Sequence, residues 1–177
     1  MIKSAKKNLQ TITVQIVHGG ECPSGALVAT NPTTGKALRK ANTAAAVPFN
    51  AALPADKMNH LGICLTGKGT SSANDNIIVC TQGFEGVIYV DPGDTSDIID
   101  SVVTWSIGDS LFWAVDNTGP TFGDAFWTNT DTKADCMVDP IAYGSVIEIR
   151  DINGDIVSGV VLGTTAGTAK YFKVKLF

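Results

Sequence analysis

Leu61-Gly62-Ile63-Cys64-Leu65-Thr66, Asn76-Ile77-Ile78-Val79-Cys80-Thr81-Gln82-Gly83, Glu85-Gly86-Val87-Ile88-Tyr89-Val90 and, opened by Ser106-Ile107-Gly108-Asp109, Leu111-Phe112-Trp113-Ala114-Val115-Asp116 succeed one another with polar or acidic loops between them. Each is a short run of β-branched, aromatic and small apolar residues bounded by Gly, Asp, Asn or Ser. That is the pattern of strands joined by turns. The stretch carries turn-and-strand scaffolding and no recognisable catalytic motif.

The same grammar extends in both directions. Thr11 to Val17 alternates, with Ile12, Val14 and Ile16 on one face, and His18-Gly19-Gly20 ends it. Gly25 to Thr30 is a second strand, Asn31-Pro32-Thr33-Thr34-Gly35-Lys36 a tight turn, and Ala37 to Lys40 the return of a hairpin. Ala41 to Ala55 lacks charge and holds Pro48 and Pro54, which forbid a long helix; it is expected to be a loop with at most one helical turn near Pro54 to Met58. Towards the C-terminus, Ser145 to Arg150 alternates and Asn153-Gly154 supplies a hairpin turn, so Ile156 to Leu162 is expected as the return strand. Thr164 to Ala169 is a small-residue turn, and Tyr171 to Phe177 a last alternating strand. About ten to twelve short strands, long loops and little helix predict an all-β fold, a small sandwich or barrel. The expected organisation is a single domain over residues 1–177, or two subdomains over about 1–90 and 91–177.

A chain of 177 residues can bury roughly 70% of its unfolded surface, enough for a core without metal or disulfide. With 44% apolar and 17% charged residues it does not have the composition of a disordered chain. No apolar run spans a bilayer, and none of signal-peptide length follows Met1-Ile2-Lys3, so the expected site of synthesis is a cytoplasm. The four cysteines, Cys22, Cys64, Cys80 and Cys136, form no C-x-x-C pair and are expected as free thiols, most of them buried. The net charge of −4 hides a split: residues 1–40 carry +5, residues 74–160 carry −13, and the last 17 residues carry +3 through Lys170, Lys173 and Lys175. Such asymmetry suggests basic ends that seek an acidic partner and an acidic half that stays in solvent.

Catalytic and ligand motifs fail one by one. Thr34-Gly35-Lys36 lacks the first glycine and the final Ser/Thr of a phosphate loop. Asp91, Asp94, Asp97 and Asp100 recur every third residue, unlike a calcium loop, and are better suited to capping backbone N–H groups. His18 and His60 stand in no nucleophile motif. The basic N-terminus has no interleaved aromatics, and the acidic half would repel phosphate, which argues against nucleic acid. Trp105, Trp113 and Trp127, with Phe122 and Phe126, fall within 23 residues; they are core, subunit interface, or a platform for sugars. No enzyme, cofactor, metal, nucleic acid or membrane partner is expected.

Several segments together resemble the small head-decoration, or cement, proteins of tailed bacteriophages. They are Ala5-Lys6-Lys7-Asn8-Leu9-Gln10, Pro23-Ser24-Gly25-Ala26-Leu27-Val28, Leu61 to Thr66, Asn76 to Gly83, Ile107 to Trp113 and Lys173-Val174-Lys175-Leu176. The resemblance implies a β-rich fold on the outer capsid surface of the virion, a homotrimer, and a clamp on neighbouring major capsid protein subunits. It brings no catalytic residue. Ala41 to Ala55 and Asp116 to Pro140 stand out as insertions against it. Combined with the charge split, it makes Lys3, Lys6, Lys7, Lys36, Arg39 and Lys40 the capsid-binding candidates, and Trp105, Trp113 and Trp127 the subunit-interface or ligand aromatics. The alternative expectation is a carbohydrate- or receptor-binding module, or a tail or baseplate component, that exposes the aromatic cluster.

Overall fold

The computed structural model describes residues 2–5, 10–15, 22, 24–30, 37–39, 60–66, 75–82, 85–89, 98–116, 125–134 and 136–176. Among them are twelve strands and no helix: β1 (Ile2–Ala5), β2 (Gln10–Gln15), β3 (Leu27–Thr30), β4 (Ala37–Arg39), β5 (His60–Cys64), β6 (Asn76–Gln82), β7 (Glu85–Tyr89), β8 (Ser110–Asp116), β9 (Ala125–Thr128), β10 (Cys136–Val138), β11 (Gly144–Arg150) and β12 (Tyr171–Leu176). All strand pairing is antiparallel, and it makes two sheets. The larger runs β1-β7-β12-β11-β8-β10, with β9 on β8; the smaller runs β2-β6-β5-β3-β4. The described part of the chain is therefore all-β, with two antiparallel sheets. Strands from both halves of the sequence share the larger sheet, because β1 and β7 lie beside the C-terminal β12.

Strand alternation assigns the two faces of the smaller sheet. Leu27, Ile63 and Cys80 lie in register across β3, β5 and β6 and enter a large apolar cluster. Their neighbours Val28, Cys64, Ile77 and Val79 point the other way, into a second cluster with Cys22, Val14 and Leu61. Ile12 and Val14 lie opposite Val79 and Ile77, on the face expected for them, although Ile12 stays 41% exposed. The large cluster is completed by the larger sheet: Leu111 and Trp113 of β8, Ala125 and Trp127 of β9, Val146 and Ile149 of β11, and Phe172 and Val174 of β12. One apolar body thus joins the two sheets.

The three tryptophans form the middle of that body. Trp105, Trp113 and Trp127 are each 0% exposed. Trp113 and Trp127 face each other on β8 and β9 with ring centroids 4.8 Å apart, edge to face, and Trp105 meets Phe172 in the same way at 5.2 Å. Burying one such side chain is worth roughly 4–6 kcal/mol before its ordering cost. This corrects the expectation that they serve as interface or ligand aromatics. The chain's own core occupies their surfaces, and no ring is left to stack on a partner or a sugar.

One further expectation changes. Ile156 to Leu162 is not a return strand. The turn Asp151 to Asp155 forms, with Gly154 at φ +90°, but only Arg150 and Ile156 bridge across it. One side of β11 is taken by β12 along its length, and on the other the Ser106–Asp109 turn already bonds Val146 through Gly108 N–H and the Asp109 carbonyl. Only Ile149 and Arg150 remain for the returning chain, which then leaves to pair Val160 with Trp105 and Leu162 with Ala169. The stretch Asp116 to Pro140 contains β9 and β10 and supplies Ala125 and Trp127 to the core. Ala41 to Ala55 lies outside the described residues.

The glycine within β5 has a specific cause. Gly62 has φ +144°, and a Cβ placed there would stand 1.8 Å from the backbone oxygen of Cys80 on β6. The pairing of β3 with β5 also slips beside it, between Val28 and Ala29. Only a residue without a side chain lets the strands approach. Gly62→Ala is expected to destabilise the fold by about 3 kcal/mol, read as a lower urea midpoint at unchanged slope.

Candidate interaction surface

The loops at the edges of the larger sheet are held by carboxylates. Asp100 follows Ile99, which bridges Trp127, and the carboxylate is buried. Its Oδ1 accepts from the Val102 N–H (3.0 Å), and its Oδ2 accepts from the Thr128 hydroxyl (2.9 Å) and from the Lys133 ammonium, whose Nζ also lies 5.0 Å from the centre of the Phe126 ring. The same residue's carbonyl accepts the indole N–H of Trp105 at 2.9 Å. The capping role expected for this aspartate is thus present, with a lysine added that spacing gave no reason to anticipate. Asp91, Asp94 and Asp97 lie outside the described residues.

Three further aspartates repeat the device. Asp109 accepts from the Ser106 N–H (2.8 Å) and the Asn129 side-chain amide (2.7 Å), closing the turn that opens onto β8. Asp139, fully buried, fastens a detour between β10 and β11: the ladder with β8 continues through Asp139 N–H to Trp113 and Tyr143 N–H to Leu111, while the carboxylate accepts Ile141 N–H (3.2 Å) and the Tyr143 hydroxyl (2.5 Å). Burial, then this bond to a carboxylate, pushes the Tyr143 phenol above its ordinary range. Asp151 accepts from Asn153, Asp155 and Gly167 N–H at 2.9, 3.0 and 2.9 Å, tying two turns together. These N–H groups, the Gly167 one foremost, hold its carboxyl below the usual carboxylate value.

Pinned loops of this kind present fixed side chains. Trp105 and Val160 exchange backbone bonds at 2.7 and 3.0 Å, and the Ile107 N–H donates to the Ser158 hydroxyl at 3.1 Å. On these adjoining loops Val102, Ile107, Ile156 and Val161 are exposed, Val102 at 78% and Ile156 at 60%. Beside them the outer face of β11 and β12 forms an open groove of about 400 Å³ lined by Glu148, Arg150, Ile152, Asn153, Gly154, Tyr171 and Lys173. Its charges are paired: Arg150 Nε donates to Glu148 (2.7 Å), Arg150 Nη1 donates to the Gly154 carbonyl (2.6 Å), and Lys173 lies 3.7 Å from Glu85. The groove accordingly offers fixed hydrogen-bonding geometry more than net charge.

Two of the six basic candidates fall among the described residues. Lys3 is on β1 and Arg39 on β4, outer strands of different sheets, while Lys6, Lys7, Lys36 and Lys40 lie outside the described residues. The C-terminal lysines do not form a free tail: β12 runs between β7 and β11, so Lys173 is held on a sheet face. The acidic half is not all solvated either, since Asp100, Asp139 and Asp151 are buried. Cys22, Cys64 and Cys80 are buried thiols; Cys64 Sγ points to the carbonyls of Thr66 (3.1 Å) and Cys22 (3.6 Å). Among the described residues no three His, Cys, Asp or Glu side chains stand together as metal ligands, and no helix is long and apolar enough to cross a membrane.

No protein-family model, curated protein or solved structure matches the chain.

The aspartate at the turn junction has a signed pH consequence. Because the folded carboxyl of Asp151 is held below its unfolded value, its contribution is complete above about pH 4, the ordinary carboxyl range, and is lost as pH falls through the lower folded value. Asp151→Asn is therefore expected to melt below the wild type at pH 7, with the gap closing in acid. Thermal unfolding of both proteins across that range measures it.

Proposed function

We propose that this chain is a structural, non-enzymatic virion protein that binds the outside of a phage capsid and stabilises contacts between major capsid subunits. The observation that carries the reading is the exposed aliphatic surface of Val102, Ile107, Ile156 and Val161, borne on loops that buried tryptophans and carboxylates hold in place. Apolar side chains displayed on a rigid frame suit a protein whose work is contact with another protein. Two open sheets sharing one apolar cluster favour the sandwich form of the fold over a closed barrel. The resemblance of the sequence to head-decoration proteins supplies the particular partner and favours a homotrimer.

The carbohydrate- or receptor-binding alternative drew on an exposed aromatic cluster, and burial of Trp105, Trp113 and Trp127 takes the three tryptophans out of it. In the capsid reading, basic side chains such as Lys3 and Arg39 give orientation on an acidic shell more than affinity. Among the described residues β1 ends the larger sheet, and its outer edge could add to a neighbouring strand.

Purified protein added to undecorated shells is expected to co-sediment with them and raise their dissociation temperature. Ile156→Asp, on the exposed surface, should weaken co-sedimentation roughly tenfold or more while leaving the melting temperature of the free protein nearly unchanged. No co-sedimentation together with unchanged shell stability would refute the reading.

A further inference from the structure

Asp100 and Lys133 are 33 positions apart in sequence, yet their side chains meet at a buried carboxylate. The carboxylate is 1% exposed and the lysine side chain 21%. Thr128, which donates to Oδ2, is fully buried, and the Phe126 ring lies 5.0 Å from Nζ. The lysine amine is thereby held in contact with the Asp100 carboxyl group. Amide formation between the two requires transfer of one proton from Nζ to Oδ2, which turns the pair into a free amine and a carboxylic acid. A neutral amine is the nucleophilic form of lysine. Fixed contact also replaces a bimolecular encounter, worth effective molarities on the order of 10⁵ M or more when the alignment is good.

We propose that Lys133 and Asp100 join autocatalytically through an isopeptide bond. Nζ attacks Cγ of Asp100, forming the N–C bond. The developing oxyanion is at Oδ1, where the Val102 N–H donates at 3.0 Å. Oδ2, already carrying the first lysine proton and hydrogen-bonded to Thr128, takes a second proton from Nζ, and the Cγ–Oδ2 bond breaks. One water leaves, one hydrogen stays on the amide nitrogen, and nothing is oxidised or reduced. The product needs no external reactant. It links the segment before Trp105 to the loop after β9, and so locks covalently the frame that presents Val102.

Intact-mass spectrometry of the purified chain under denaturing conditions tests this. The expected mass lies below that of the 18.5 kDa sequence by one water, about 18 Da. Peptide mapping should recover a branched species joining the peptide with Asp100 to the peptide with Lys133. Lys133→Arg, which retains the positive charge but cannot form this amide, should show its full sequence mass. A full-mass wild type overturns the proposal, as does a water loss that maps to any other residue pair or that persists in Lys133→Arg. The wild-type map decides the matter even if the variant fails to fold.

Discussion

The indole N–H of Trp127 donates to the carbonyl of Gly25 at 2.8 Å, across 102 positions of sequence. That bond ties β9, in the larger sheet, to the segment leading into β3, in the smaller one. It is made inside the apolar cluster that both sheets share, where an unpaired N–H would cost about 1–3 kcal/mol. The ring is also wedged edge to face between Trp113 and Tyr143. Packing and polar satisfaction therefore fix the same side chain, and the relation of the two sheets follows from it. The backbone of Trp127 extends the control outwards, since its carbonyl and N–H bond Asp100 and Ile98.

From this centre the loops are built by buried carboxylates. Asp100, Asp139 and Asp151 each accept hydrogen bonds from backbone N–H groups that no strand partner serves. A buried carboxylate requires several donors, so the loop has to close around it. That is how loops without regular structure can hold exposed aliphatic groups in a constant arrangement, and how an all-β frame could serve as a contact surface. The acidic bias of residues 74–160 is thus partly an internal device, with solvation its other use.

What the sequence made legible was local. Alternation and turn chemistry located β5, β6, β7, β8, β11 and β12 to within a residue or two, and Asn153-Gly154 marked a real turn. The misreadings concern partners distant in sequence. Ile156 to Leu162 has the composition of a strand, but whether it pairs depends on which edge of β11 is already occupied by β12 and by the Ser106–Asp109 turn. Tryptophan composition does not distinguish a core from a contact surface; register does, by setting Trp113 against Trp127 on the inner face. The pairing of Asp100 with Lys133 leaves no trace in spacing, because β9 and its flanking turns intervene. The interaction surface was the least legible of all, being made of single aliphatic residues on separate loops.

The central claim is that Trp127 fastens the two sheets around one core. Trp127→Phe keeps an aromatic ring while removing the N–H, and urea unfolding of this variant beside the wild type is the most direct measurement of it. The expected result is one cooperative transition in both proteins, with the variant less stable by roughly 2–4 kcal/mol from the orphaned Gly25 carbonyl and the smaller ring. An unchanged midpoint, or a wild type that unfolds in two separate steps, would contradict the account.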